Sequence, residues 1–119
     1  MTQHNQRLGR VGERVAAEYL ASIGHQIIAR NWRTTFGELD LISLDAGELI
    51  AIEVKTRSSD KFGTAFEAIH PEKFRRIQRL AQRWAQENHW QYQDIRVDVL
   101  CIYRCDQRWR IEHHQRVTS

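Results

Sequence analysis

The chain has 119 residues, a length that fits one domain, and its 41% hydrophobic content is enough for one core. Charged residues make up 28% of the chain and the formal net charge is +3, which permits an anionic partner without requiring one. Charges interrupt every apolar run before the roughly 20 residues that a membrane span needs, and the polar start has no signal-peptide core. We therefore expect a soluble, cytoplasmic protein without membrane contact.

The first predicted element is a helix over residues 7–23, where apolar residues recur at helical spacing and Gly24 supplies a stop. Gly12 falls inside the apolar stripe and Gly9 beside it, where a missing side chain lets a helix approach a neighbour closely. Glu13 falls at the edge of the stripe, within reach of the rim of the core. The sequence therefore predicts an amphipathic helix with an acid at its edge.

Three strands are predicted next, over residues 26–32, 38–44 and 49–56. The turn-rich sequences TTFG and DAGE separate them, so the second and third strands should form an antiparallel hairpin. A polar, glycine-containing stretch over residues 57–68 is the longest candidate loop. Such a loop is expected to be mobile unless something binds it.

Pro71 suits the first turn of a second helix, which carries an apolar face and a row of arginines. The arginines are Arg75, Arg76, Arg79 and Arg83. A solvated cationic face is the simpler explanation for them, and a nucleic-acid footprint is the alternative. Lys73 lies apart from them, on the flank of the helix.

Two further strands complete the pattern. Residues 95–103 are apolar almost throughout, which predicts a strand buried on both faces. A short fifth strand over residues 108–112 is expected at an edge, and residues 115–119 are expected to fray. The predicted order is α-β-β-β-α-β-β.

The two cysteines, Cys101 and Cys105, are too few for a disulfide scaffold and fit a reducing compartment. With His113 and His114 they would form a Cys/His set, but its spacing matches neither a zinc finger nor a zinc ribbon. We therefore expect ordinary thiols.

Charged residues interrupt both strands of the predicted hairpin. Strand alternation puts Glu53 and Lys55 on one face. If the hairpin turns symmetrically about its DAGE turn, Asp40 lies opposite Glu53 and Glu38 lies opposite Lys55, although a one-residue change in the loop would alter that register.

In that register Asp40 and Glu53 are like charges with Cβ atoms about 4.5 to 5.5 Å apart, which is destabilising unless a cation lies between them. Two converging carboxylates suit a hard divalent ion such as Mg²⁺. The ion would make water more acidic and stabilise charge on a phosphoryl oxygen, with Lys55 helping to hold the water or to stabilise that charge. Salt-bridged strands are also ordinary, and this spacing of common residues arises by chance as well.

Three stretches carry a resemblance that extends from Gly9 to Tyr103. They are GRVGERVAAEYLASIGHQIIARNWRTTFGELDLISLDAGELIAIEVKTR, FGTAFEAIHPEKFRRIQRLAQRW and IRVDVLCIY. With them the chain resembles the YraN-like family of small uncharacterised bacterial proteins, which is grouped with the restriction-endonuclease-like PD-(D/E)xK fold and is similar to archaeal Holliday-junction resolvases. The resemblance implies an α/β core with a mixed central sheet flanked by helices. Together with the length of the chain and the order of its elements, it predicts a single nuclease-like domain over residues 1–119, with a core over about residues 7–113.

The resemblance also implies the site residues. Asp40 and Glu53 match the metal ligands, Lys55 matches the catalytic lysine, and Glu13 matches an additional acid that resolvase-like members place near the metal. All four are therefore candidate catalytic residues, and the three acids are candidate metal ligands. Leu39 stands where the motif has proline, so that the chain reads ELD in place of PD, without loss of a chemical group.

Three functions remain open from the sequence. The first is a Mg²⁺- or Mn²⁺-dependent endonuclease that hydrolyses phosphodiester bonds in DNA, including branched or structured DNA. The second is a nucleic-acid-binding module that keeps the nuclease fold with little or no catalysis. The third is an interaction protein in which the acids and the lysine form only a structural ion-pair network. Candidate donors to flanking phosphates are Thr56, Arg57, Ser58, Lys61 and Lys73.

Two further expectations concern residues outside this set. Asp98 is expected to be a buried partner of an arginine such as Arg30 or Arg33 rather than part of the site. A domain of this size exposes a sheet edge, and a homodimer is compatible both with that edge and with the resemblance to resolvases.

Overall fold

The computed structural model of the chain describes residues 3–58, 70–91 and 94–118. Its elements are α1 (Gln3–Ser22), β1 (Gln26–Thr34), β2 (Gly37–Asp45), β3 (Glu48–Arg57), α2 (Pro71–Glu87), β4 (Arg96–Cys105) and β5 (Arg108–His114). The predicted order is confirmed, and the main difference is that α1 begins before residue 7. Most of the predicted loop over residues 57–68 lies outside the described residues.

The strands form one sheet in the order β1-β2-β3-β4-β5. Only β3 and β4 run parallel, and every other neighbouring pair is antiparallel. A parallel pair requires a crossover, and α2 lies in the connection between these two strands. The predicted mixed sheet is therefore confirmed, with β5 at an edge.

Each face of the sheet has its own apolar cluster. The α1 face is packed by residues such as Ala16, Leu20, Leu41, Ile52 and Leu100. The α2 face is packed by residues such as Leu39, Leu80, Trp84, Val99 and Tyr103. Because β4 contributes to both clusters, its residues 97–103 are all buried, as their continuous apolarity predicts.

A glycine lets α1 lie directly on β3. A Cβ added to Gly12 would stand 2.1 Å from Oγ1 and 2.9 Å from Cβ of Thr56, whereas one added to Gly9 would meet nothing within 4 Å. The close approach predicted for Gly12 is confirmed, and Gly9 does not contribute to it. The contact fixes the height of α1 above the strand and with it the position of Glu13.

Gly12→Ala should destabilise the protein, and Gly9→Ala should not. The added methyl at residue 12 overlaps the branched Thr56 side chain, and such overpacking costs about 1 to 3 kcal/mol. At residue 9 the same change should stabilise the helix by about 0.5 to 1 kcal/mol. Urea unfolding of both variants measures the difference, and equal effects would contradict the close helix-strand contact.

The chain end is attached to β4, so the expectation that residues 115–119 fray is wrong for the part the structure describes. The Val117 backbone N–H donates to the Val97 carbonyl oxygen at 2.9 Å. The Arg116 backbone N–H donates to Oδ1 of Asp98 at 3.1 Å, and the Arg116 side chain pairs with Glu48. The Arg116 N–H helps to satisfy a buried carboxylate, and the three bonds together hold residues 116 and 117 in place.

Asp98 is fully buried on the α1 face, and its arginine is neither Arg30 nor Arg33. Arg96 grips it with two nitrogens, each 2.9 Å from a carboxylate oxygen, and Nε2 of His113 lies 2.7 Å from Oδ2. Arg96 has this geometry because residues two apart on a strand share a face. The expectation of a buried arginine partner is therefore correct in kind and wrong in the residue.

Two simpler expectations have outcomes as well. Cys101 and Cys105 are not joined in a disulfide, as expected. Within the described parts of the chain, no helix combines the length and apolarity that crossing a bilayer requires.

Candidate active site

The hairpin of β2 and β3 has the predicted register but ends earlier than predicted. Its ladder runs from Asp45↔Glu48 to Leu41↔Ile52 and does not include the predicted pairs of Asp40 with Glu53 and of Glu38 with Lys55. Oδ2 of Asp40 instead accepts a hydrogen bond from the Val54 backbone N–H at 2.8 Å. A carboxylate thus takes the place of a backbone acceptor where the two strands separate.

The strands separate because β2 turns over at Asp40. Leu39 belongs to the cluster on the α2 face and Leu41 to the cluster on the α1 face, although residues two apart on a regular strand share a face. On the neighbouring strand β1, between the residues paired with Leu39 and Leu41, Asn31 has a positive φ of 50°. The change of face along β2 and the positive φ of Asn31 both occur beside Asp40, the first residue of β2 that no longer pairs with β3.

Three carboxylates from three elements act on one another here: Glu13 from α1, Asp40 from β2 and Glu53 from β3. Burial, then the charge of Glu53, raises the pKa of Asp40 to about 7, and Glu13 and Glu38 add to the shift while the Val54 N–H opposes it. Burial also raises the pKa of Glu13, against a hydrogen bond from Asn31. The site therefore concentrates negative charge in a poorly hydrated position.

Lys73 supplies a cation beside these acids. Its Nζ lies 3.0 Å from Oε1 of Glu53, whose side chain is only 18% exposed. The sequence places Lys73 on the flank of α2, apart from the arginines, and makes it a candidate for phosphate binding. Its contact with Glu53 was not foreseen.

A cleft of about 550 Å³ opens between α1 and the end of β3. Its lining includes Glu13, Glu53, Lys55, Thr56, Arg57, Ser58 and Lys73. A second cleft of about 280 Å³ contains Asp40 and shares Glu53 and Lys73 with the first. The structure thus brings together all the predicted site residues except Lys61, which lies outside the described residues.

The predicted donors at the end of β3 differ in what they face. The Thr56 side chain lies against Gly12. Arg57 and Ser58 are exposed, with Nη1 of Arg57 donating to the Thr56 carbonyl oxygen at 3.0 Å. Lys55 pairs in register with Cys101. Burial, then the charge of Glu112, raises the pKa of the Cys101 thiol, and the charges of Lys55 and Arg57 oppose that shift. Lys55 and Glu53 therefore share the α2 face, as alternation predicts.

The acids fit a hard divalent ion by their chemistry. All three offer carboxylate oxygens, the donors that Mg²⁺ and Mn²⁺ take, and Asp40 has a second oxygen besides the one bonded to Val54. In the described part of the chain, no three His, Cys, Asp or Glu side chains are grouped closely enough to hold a metal ion. Glu53 is turned towards Lys73, so binding would require it to exchange this partner for the ion.

Asn31 is the residue of the site that the sequence analysis missed. It bonds to Glu13 and adopts the left-handed conformation where β1 is irregular. Asparagine is depleted in strands and tolerates a positive φ, so its place in the strand sequence QIIARNWRT is a usable signal.

Comparisons with known proteins agree on one family. Residues 12–102 match the model of the "Uncharacterised protein family UPF0102". A UPF0102 protein of Mycolicibacterium smegmatis is 52% identical over 99 residues, which cover 80% of this chain and 78% of that protein. A relative of the same name from Frankia casuarinae is 48% identical over 97 residues, covering 82% of each chain. One from a Parafrankia species is 45% identical over 112 residues, covering 93% of this chain and 95% of its own. These names state no activity.

Proposed function

This chain belongs to the uncharacterised protein family UPF0102, and we propose that its cleft hydrolyses phosphodiester bonds in DNA with the help of a divalent metal ion. The observation that supports the proposal is that Glu13, Asp40 and Glu53 act on one another at two adjoining clefts, one of which also contains Lys55. A bound cation would reduce the repulsion among the acids, and an ordinary surface would hydrate such charges rather than bury them.

The acids and the lysine of the site have different roles. Asp40, Glu53 and Glu13 would hold Mg²⁺ or Mn²⁺, which supplies Lewis-acid polarisation of a phosphoryl oxygen and makes water more acidic. The ammonium of Lys55 orients the attacking water and stabilises the charge that develops on the phosphate. The Val54 N–H holds one oxygen of Asp40 and so fixes the direction of the other.

Binding of the DNA backbone falls to the donors beside the acids. Arg57 and Ser58 are exposed at the end of β3, and Lys61 follows them in the sequence. Thr56 contributes from the wall of the cleft, where its side chain lies against α1. If an ion took the place of Lys73 at Glu53, the Lys73 ammonium would be available to bind a phosphate, which agrees with the role that the sequence predicts for it.

The proposal is tested with end-labelled linear, nicked and four-way DNA incubated with Mg²⁺, Mn²⁺ or EDTA. We expect products with either metal and none with EDTA, and comparison of the three substrates shows whether branched DNA is preferred. If the purified protein yields no metal-dependent product from any of them, the hydrolase proposal fails.

Metal binding should strengthen as the pH rises to about 7. The folded chain holds a proton on Asp40 up to a pKa of about 7, against an ordinary value of 3.8, so the metal-free protein loses stability as the pH rises between these values. An ion has to displace that proton, and its affinity should increase up to about tenfold per pH unit below 7 and level off above it.

The measurement is the rise in melting temperature with added Mg²⁺ at pH 5.5, 6.5 and 7.5. A rise that is the same at all three values would show that the ion does not compete with the Asp40 proton.

One observation favours the binding module without catalysis. The ammonium of Lys73 already neutralises Glu53, which leaves an ion less to gain there. In that case the arginines and lysines around the cleft give DNA affinity with a steep salt dependence, and neither EDTA nor Asp40→Asn reduces it.

A further inference from the structure

Phe36 is a large apolar side chain that the structure leaves in solvent. It lies in the turn between β1 and β2 and is 70% exposed. The turn lies close to α2: a Cβ added to Gly37, the residue after Phe36, would stand 3.2 Å from Cδ1 of Leu80. Gly37 also has a φ of +143°, a conformation that residues with a side chain rarely adopt. The guanidinium of Arg83 lies 5.7 Å from the centre of the Phe36 ring. The ring is thus fixed beside the helix yet contributes little to the core.

Arginines of α2 surround this ring. A cleft of about 490 Å³ is lined by Phe36, Arg76, Arg79, Leu80 and Arg83. Arg83 pairs with Glu87 at 3.1 Å, while Arg76 and Arg79 form no ion pair within the described residues. An exposed ring beside two arginines without an ion pair in the described part of the chain is suited to a ligand that is both flat and anionic.

The cleft at Phe36 is continuous with the candidate active site. It shares Arg76 and Leu80 with the cleft that contains Asp40, and that cleft shares Glu53 and Lys73 with the one that contains Lys55. A strand bound at the acids therefore meets Phe36 and the arginines next along the same surface.

We propose that Phe36, Arg76 and Arg79 form a subsite for an unpaired nucleotide of the DNA strand that enters the cleft. The base stacks on the Phe36 ring and its flanking phosphates bind the two arginines. A base inside a duplex cannot reach the ring, so the subsite selects DNA in which a strand has left its partner. This inference rests on the proposed function and names the feature of the substrate that the site recognises.

The test measures fluorescence anisotropy of labelled DNA in EDTA, which prevents cleavage. A forked duplex with unpaired arms is compared with a blunt duplex of the same nucleotide number. The natural protein should prefer the fork. Phe36→Ala should lower fork affinity about tenfold and leave blunt-duplex affinity unchanged, since base stacking on an aromatic ring is worth this much.

Two matched substitutions separate stacking from bulk. Phe36→Leu keeps an apolar side chain without a ring and should bind like Phe36→Ala. Phe36→Trp should keep the preference for the fork, and its added indole fluorescence, obtained by subtracting the signal of the natural protein, should be quenched on binding.

Arg76→Ala combined with Arg79→Ala should weaken binding of both the fork and the blunt duplex. It should also reduce the slope of log affinity against log salt concentration by about 2.

The outcomes separate this inference from the proposed function. If the natural protein binds or cleaves DNA but Phe36→Ala keeps its preference for the fork, the subsite is wrong and the proposed function stands. Equal losses on fork and blunt duplex also overturn it, because they assign no role to the unpaired base. If the natural protein neither binds nor cleaves any DNA at low salt, both fail together.

Discussion

Asp40→Asn should abolish metal-dependent cleavage and at the same time stabilise the metal-free protein at pH 8. The amide keeps an oxygen that can accept the Val54 N–H, but it removes a ligand charge. Mutation of a residue that only hydrogen-bonds to a metal ligand costs about 10- to 100-fold in activity or metal affinity. Loss of a ligand itself should therefore lower the cleavage rate by more than about 100-fold. Removal of a carboxylate whose pKa is about 7 should raise the free energy of unfolding on the order of 2 kcal/mol.

The measurements are initial cleavage rates and urea unfolding at pH 8 with EDTA. Asp106→Asn is the matched control, because Asp106 is exposed in the β4–β5 turn at a φ of 56° that asparagine tolerates. Lys55→Ala should lose cleavage yet keep the rise in melting temperature with Mg²⁺, since the lysine binds no metal. An Asp40→Asn protein that still cleaves would remove Asp40 from the mechanism.

Arg96→Met should be the most destabilising of the substitutions considered, at about 3 to 5 kcal/mol. It leaves the fully buried carboxylate of Asp98 without its bidentate partner, and an uncompensated buried charge costs this much. Burial alone would raise the pKa of Asp98, but bonds from His113, Arg96 and the Arg116 N–H outweigh it and hold the pKa below its ordinary value. The stability that Asp98 contributes is therefore present at neutral pH and is lost as the pH falls below about 4.

Urea unfolding at pH 7 measures this effect. Arg33→Met is the matched control, because Arg33 and Glu38 form an ion pair of similar length, 3.1 Å, with both side chains largely in solvent. That change should cost less than about 1 kcal/mol. The double variant Arg96→Met with Asp98→Asn should be more stable than Arg96→Met alone. Equal costs for the two arginines would show that the Asp98 network contributes no more than a surface pair.

The sequence predicts what depends on local spacing. Apolar periodicity predicts each helix and strand that the structure describes, and the length of the DAGE turn predicts the register of β2 and β3. The motif residues follow because they lie on that hairpin and on the edge of α1. Strand alternation could also have predicted Arg96 as the partner of Asp98, since it puts these two residues on one face.

What the sequence does not predict depends on contacts between distant elements. β2 reverses at Asp40 because Leu39 packs in the apolar cluster on the α2 face and Leu41 packs in the cluster on the α1 face. The contact of Lys73 with Glu53 depends on the angle at which α2 crosses the sheet. Neither feature produces a periodic pattern in the sequence, because neither repeats along the chain.

The attachment of the tail to β4 has a consequence for biosynthesis. Two of the groups that satisfy Asp98, His113 and the Arg116 N–H, follow it in the chain by 15 and 18 residues. A nascent chain that has just exposed β4 therefore carries an acid that has Arg96 beside it but lacks these two partners, which are still inside the ribosome. Because a partly satisfied carboxylate opposes burial, β4 closes the core only when residues 113–116 have emerged as well.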